Sequence, residues 1–292
     1  PARVRAWRWE LHSAAQHGEL RWRLVHSLPE LRLTRQTRHG RLSFSNKDAV
    51  IGRHLYLYRH FEYDKILAAL QTLRESGVRR AGGLLIDVGA NVGTVCIPLV
   101  RSGAFSGALA FEPEPKNHQF LLRNIRQNGL TSSITAFDCA LSSQSGTMEL
   151  SLSPSNFGDH RLGGDQPHGH AMLSVSVRRL DDVLTEAGLP WMQVGLLWMD
   201  VQGHEIHVLA GAERLIMSGV PVVAEFWPYG LHAAGIGQDQ YCNRIASMFE
   251  GFHDLADQPS KRRDPIEVRG LFDRYQGEHS FTDLLLLPKR RT

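Results

Sequence analysis

The chain has 292 residues, enough for one large domain or two small ones at roughly 100–200 residues per domain. Hydrophobic residues make up 42% and charged residues 22%, a globular balance that excludes a largely disordered chain. Lys and Arg total 33 against 30 Asp and Glu, too even to argue for nucleic acid by charge, and no nucleic-acid partner is expected.

The first 62 residues read as a basic N-terminal extension, with residues 63–292 as the main domain. Arg3, Arg5, Arg8, Arg21, Arg23, Arg32, Arg35, Arg38 and Arg41 outweigh Glu10, Glu19 and Glu30 there. They read as a solvated face, or alternatively as a patch for an anionic partner. Trp7, Leu11, Ala14 and Ala15 fall near helical spacing and predict a short amphipathic helix. Gly40 to Asp48 reads as a turn and a short extended piece. The chain starts at Pro1 with no initiator Met and no apolar leader, which suggests trimming and leaves an upstream segment open.

From Tyr63 a helix is predicted, with Ile66, Leu67, Leu70 and Leu73 on one face and Gly77 as C-cap. Strands and helices then alternate. Strands are predicted at 84–88, 109–111, 134–139, 196–200, 222–225, 252–255 and 283–287. Helices are predicted at 94–102, 116–128, 180–187, 205–218 and 240–249. Such alternation implies βαβ units and a mostly parallel, doubly wound sheet. Ser153 to Ala171, rich in Gly, Pro and His, breaks the pattern as a long loop or β-excursion. The apolar runs fall short of the about 20 residues that span a bilayer, so no integral membrane segment is expected. Cys96, Cys139 and Cys242 are dispersed and form no C-x-x-C pair, which fits a reducing, cytoplasmic setting.

The segment Leu84 to Thr94 reads LLIDVGANVGT: a buried strand, then a tight glycine turn into a helix. Glycine at 89 and 93 permits positive φ and close approach of a ligand. Amides at the following helix N-terminus can meet a polar group. The spacing is D-x-G-x-x-x-G, with Asn91 where a dinucleotide fingerprint would need Gly. A carboxylate at Asp87 suits an amino-acid ammonium rather than a pyrophosphate. Glu112, ending the next strand, can bind both hydroxyls of a ribose. Asp138, at the third strand end, can meet an adenine amino group. Together these favour S-adenosylmethionine over a nicotinamide cofactor and a dehydrogenase.

At this point the chain resembles the FkbM family of S-adenosylmethionine-dependent methyltransferases. The resemblance rests on ordered blocks: DVGANVG at 87–93, AFEPEPKN at 110–117, LLRNIRQN at 121–128 and ALSSQSG at 140–146. VRRLDDVL at 177–184, MDVQGHEIHVLAGA at 199–212 and VVAEFWP at 222–228 follow. It implies an α/β class I methyltransferase (Rossmann-like) fold, doubly wound, with seven strands and an antiparallel last strand, for which FTDLLLLP at 281–288 is suited. It implies cofactor contacts from Asp87, Val88, Gly89, Ala90, Asn91, Gly93 and Glu112, and O-methylation of a sugar or natural product. The family commonly has D-V-E-G where this chain has Asp200-Val201-Gln202-Gly203, so no role of that Glu carries over to Gln202.

An alcohol acceptor needs alignment and a base or a Lewis acid. Asp200, His204 and Glu225 are the candidate catalytic residues, at the ends of the fourth and fifth strands. Glu205 suits the helix dipole. No metal site is expected. Magnesium on Asp200 and Glu225 lacks a clear third ligand, and zinc on His160, His168 and His170 lacks a fourth. Trp227 and Tyr229 either stack on a sugar or pack the core. N-methylation on the same fold and a non-catalytic binding protein are the alternative functions. The acceptor is expected to be a small molecule or carbohydrate, and the oligomeric state is open.

Overall fold

A computed structural model describes residues 17–78, 82–163 and 170–289. The helix predicted around Trp7 to Ala15 and the histidine at 168 lie outside these residues. Helix α1 (17–27) precedes a hairpin, β1 (Arg32–Thr37) and β2 (Gly40–Ser45), then α2 (Ile51–Leu57) and α3 (Tyr63–Glu75). Next come β3 (Leu84–Val88), α4 (Cys96–Arg101), β4 (Gly107–Phe111), α5 (Pro115–Gln127) and β5 (Ile134–Phe137). A second sheet is built from β6 (Ala140–Leu141), β7 (Gly146–Leu152), β8 (Arg161–Leu162) and β9 (Ala171–Arg178). The chain continues through α6 (Leu180–Glu186), β10 (Val194–Met199), α7 (Glu205–Gly211), α8 (Glu213–Met217), β11 (Val222–Phe226) and α9 (Pro228–Ala233). It ends with α10 (Gln238–Met248), β12 (Phe249–Asp254), α11 (Val268–Arg274) and β13 (Thr282–Pro288).

The large sheet has seven strands in the order β12-β13-β11-β10-β3-β4-β5. Only β13 runs antiparallel to its neighbours. This is the doubly wound sheet that the alternation of elements predicts, with the antiparallel last strand that the family resemblance implies. Its strands are continuous apolar runs because helices cover both faces. Alternation along each strand divides the core in two. Ile86, Val88, Leu197, Met199, Leu284 and Leu286 face one cluster. Leu85, Trp198, Val223 and Leu285 face the other, against Ile66, Leu70 and Leu73 of α3.

The same parity governs the polar strand ends. Asp87 follows Leu85 by two, Asp200 follows Trp198 by two, Glu225 follows Val223 by two, and Asp283 precedes Leu285 by two. All four therefore belong to the face covered by α3. Met199 pairs with Ala224 and Glu225 with Asp283, so Asp200, Glu225 and Asp283 form a row across three adjacent strands.

The second sheet, in the order β6-β9-β7-β8, interrupts the βα alternation between β5 and α6. The described part of Ser153–Ala171 is thus a β-excursion, with β8 paired to β7. The strand predicted to reach Cys139 ends at Phe137, because Ala140 pairs with Val177 of this second sheet instead. The single helix predicted over 205–218 is two helices, broken at Ala212 (φ −119°, ψ 19°). Asp181 accepts from the backbone N–H of Arg214 (2.9 Å) and Leu215 (3.2 Å), capping α8 from outside. The N-terminal hairpin packs on α5. Leu42 and Phe44 are fully buried in the α3-side core. Asn124 of α5 accepts from Ser43 N (2.7 Å) and donates to Ser43 O (3.0 Å) and Val92 O (2.8 Å), joining hairpin, helix and glycine turn.

Candidate active site

Strand β3 delivers Asp87, 1% exposed, to its carboxyl end. Its carboxylate accepts from Cys96 N at 3.0 Å and fixes the start of α4. That is why the helix begins at Cys96, two residues later than the sequence predicts. Burial, reinforced by the neighbouring Asp200 charge, pushes the Asp87 carboxyl up to about 6. Gly89 has φ +80° and donates to Phe111 O at 3.0 Å. A Cβ there would overlap the Asp200 carbonyl oxygen. Gly89→Ala is therefore expected to cost about 2–5 kcal/mol, from the left-handed φ and the overpacking together. Thermal unfolding checks this, and an unchanged midpoint would show that the two strand ends have room to part.

Asn91 also lies in the left-handed region, at φ +48°, where Asn is tolerated. Its N–H donates to Glu112 Oε2 (2.8 Å), and Glu114 N donates to Glu112 Oε1 (2.9 Å). Despite these two donors, burial pushes the Glu112 carboxyl up to about 8. Ala90 and Gly93 shape the turn: Ala90 N bonds Phe111 O (3.0 Å), and Gly93 N bonds Ala90 O (2.7 Å). Asp87, Val88, Gly89, Asn91 and Glu112 line one crevice, across from Asp200 and Gln202. Asp138 is exposed in the bend after β5 and is not brought to that wall. Its strand ends at Phe137, one residue before it. Asn117, missed by the sequence reading, lines the crevice with a buried Oδ1 that has no partner. Two carboxylates and an orphan amide oxygen form an acceptor-rich wall, suited to a ligand bearing ammonium and hydroxyl donors.

Beside this wall the carboxylate row meets a lysine. Lys65 Nζ lies 2.8 Å from Asp283, 3.0 Å from Glu62 and 3.8 Å from Asp200, with its side chain 14% exposed. Gln202, at φ +54°, donates from Nε2 to Asp200 Oδ1 (2.7 Å) and Glu225 Oε2 (3.0 Å). The amide thus bridges the two carboxylates where the family commonly has another. Burial raises the Asp200 carboxyl while Lys65 opposes that rise. Burial and the Asp200 charge drive Glu225 well above the usual carboxylate range. Asp283 is pushed by burial to about 7.

The structure does not bring His204 to this row. Its ring is 4% exposed, with Nε2 3.0 Å from Ser142 Oγ, and stacks on His207 at 4.5 Å. Burial holds it neutral, down to about 3, and it lines a separate cavity with Ser142 and Ala234. The base expected at 204 is corrected on this ground: as the first residue ahead of α7, it turns beneath the second sheet. Glu205 is 2% exposed and accepts from Val201 N (3.1 Å), bracing the loop before α7. Trp227 is 5% exposed, donates to Glu278 O (2.9 Å) and lies under the Arg161 guanidinium at 4.7 Å, so most of its ring is packed, with an edge on a neighbouring cavity. His160 Nδ1 accepts from Ser153 N (3.1 Å), and His170 Nδ1 meets Ser151 Oγ (3.0 Å).

Lys65, Glu62 and Asp283 were not legible as site residues. A lysine in the first turn of an amphipathic helix reads as solvated. The usable signal was Asp283, a lone carboxylate entering the apolar run LLLL.

The strand order, the glycine turn and the acidic ends of the first two sheet strands define a class I methyltransferase fold. The sequence profile of the Methyltransferase FkbM domain matches residues 87–245, and the chain belongs to this FkbM methyltransferase family. It is similar to Methyltransferase sdnD of Sordaria araneosa, 31% identical over 175 residues, covering 50% of this chain and 68% of that protein. It is similar to the 2-O-methyltransferase NoeI of Sinorhizobium fredii, 31% identical over 149 residues (46% of this chain, 58% of NoeI). The hexuronic acid methyltransferase AglP of Haloferax volcanii is 29% identical over 166 residues (56% and 62%). The chain thus spans between 58% and 68% of the length of these relatives. Among solved structures, methyltransferase FkbM from Methylobacillus flagellatus aligns with a TM-score of 0.45 at 19% identity, covering 72% of this chain and 45% of that one. Among the described residues, no helix is long and apolar enough to cross a membrane.

Proposed function

We propose that the protein transfers a methyl group from S-adenosylmethionine to a hydroxyl of a sugar or other natural product, with Asp200 taking the hydroxyl proton. The observation that carries this reading is the position of Asp200. It lines both the cofactor crevice and a second cavity beside it, with its side chain 32% exposed.

The residues present fit the cofactor. Asp87 would hold an ammonium group, Glu112 ribose hydroxyls, and the orphan Asn117 Oδ1 a further donor. When bound, the cofactor supplies a methyl group already activated as a sulfonium. The protein then has to align the acceptor and remove one proton. A carboxylate whose pKa is raised, as burial raises that of Asp200, is a better proton acceptor than a free one. Lys65 keeps Asp200 available as the anion, and Gln202 fixes its Oδ1 toward Glu225. The names 2-O-methyltransferase and hexuronic acid methyltransferase of two relatives support an oxygen acceptor and a sugar.

Asp200→Asn tests this. With an acceptor found from a glycan panel, kcat should fall about 10²–10⁴-fold, the usual worth of a positioned base. Binding of S-adenosylhomocysteine should stay within about threefold, because Asn keeps the shape of the crevice wall. An unchanged kcat would remove Asp200 from the proton transfer.

A further inference from the structure

The second cavity opens off the crevice at Asp200 and Gln202 and runs between the β11–α9 corner and the second sheet. Its charges are one-sided. Glu62, Asp159, Asp200, Glu225 and Glu278 all contribute to its wall. Among the described residues of the lining the one guanidinium, Arg161, is committed: Nε and Nη2 bond the two Asp159 carboxylate oxygens at 2.6 and 2.9 Å, and its plane covers Trp227. The ammonium behind the wall, Lys65, is shared among Glu62, Asp200 and Asp283. His279, the remaining basic side chain among the described lining residues, is exposed.

We infer that this cavity is the acceptor subsite and that it takes a polyol without a carboxylate, a neutral or amine-bearing sugar, and rejects uronates. The inference rests on the methyltransferase reading above. A neutral sugar offers hydroxyl donors, and the wall offers carboxylate acceptors, so each hydrogen bond is charge-assisted. A sugar acid adds an anion beside Asp159, Asp200 and Glu278. Placing like charges together, with no free cation among the described lining residues, disfavours binding. This holds even with Glu225 carrying a proton, as its burial favours, because the proton removes one charge without freeing a cation. The Arg161–Asp159 pair is then a specificity device: it keeps the guanidinium from an incoming carboxylate.

Matched sugar pairs test this on the full chain. Methyl glucoside against methyl glucuronide, methyl galactoside against methyl galacturonide, and glucosamine would be presented to protein saturated with S-adenosylhomocysteine. Saturation-transfer NMR would be read for each. Neutral and amino sugars should give signal, with each uronate bound at least about tenfold more weakly than its neutral partner at pH 8. Asp159→Asn, which frees Arg161, should narrow that gap by about tenfold. Uronates binding as well as their neutral partners, silence from every sugar, or no narrowing in Asp159→Asn would each overturn the proposal. Failure of S-adenosylhomocysteine itself to bind, measured first by calorimetry, would instead overturn the methyltransferase reading beneath it.

Discussion

Replacing Asp87 by Asn is expected to weaken S-adenosylhomocysteine binding about 10–100-fold while leaving the protein as stable as before, or more so. A hydrogen bond to a charged partner is worth about 1.5–3 kcal/mol, and about 1.4 kcal/mol is a factor of ten. Asn keeps the acceptor for Cys96 N, so the start of α4 should hold. The stability side follows from burial. With a folded-state pKa of about 6 against an ordinary value of 3.8, Asp87 binds its proton more tightly when folded. Ionising it therefore costs the folded state on the order of 2–3 kcal/mol above pH 6, a cost that disappears as pH falls toward 4. Asn removes that cost. The same value sets a pH dependence for the native protein: cofactor affinity should fall as pH drops through about 6, because the protonated carboxyl no longer attracts an ammonium. Calorimetric titrations between pH 5 and 8, with thermal scans of both proteins, check all three statements. Unchanged affinity of the variant at pH 8 would show that Asp87 is only a brace for α4.

Lys65→Met should be the most destabilising single change in the site. Removing one partner from a buried ionic cluster costs about 3–5 kcal/mol, because the charges left behind lose their counterion. For a chain of this size that corresponds to a fall in Tm of about 10 °C. The deficit should be pH-dependent. Burial already holds Asp283 near 7 and Glu225 above the usual range. Without the ammonium these groups hold their protons still more tightly, so lowering the pH neutralises them and narrows the gap to the native protein. The difference in Tm should therefore be larger at pH 8 than at pH 5. An equal difference at both values would mean that Lys65 acts through packing of its stem and not through its charge. Residual soluble variant should also lose turnover, since Asp200 would no longer be kept as the anion.

Much of this architecture was legible along the chain. Strands β3, β4, β10 and β11 are short apolar runs, and their carboxyl ends carry Asp87, Glu112, Asp200 and Glu225. The turn at Gly89 and Gly93 announces itself because positive φ and close backbone approach need glycine at those positions. These signals are carried by residues a few positions apart, so local pattern suffices to read them. The break of α7 from α8 was not legible, because Asp181, which caps α8, lies more than thirty residues away. His204 looked suited to the chemistry for the same local reason: it lies five residues beyond the end of β10, but its ring turns toward Ser142 and away from the crevice.

The composition, the alternation of elements and the acidic strand ends needed no more than the order of the residues. The sheet order, the row from Asp200 through Glu225 to Asp283 and the lysine that neutralises it needed the folded chain. Strand parity places a side chain on one face, but lateral strand order decides which carboxylates become neighbours. Glu62 and Lys65 meet Asp283 only because the antiparallel β13 inserts next to β11, beneath α3. That contact spans most of the chain, and its physical cause is the need of several buried carboxylates for one buried cation.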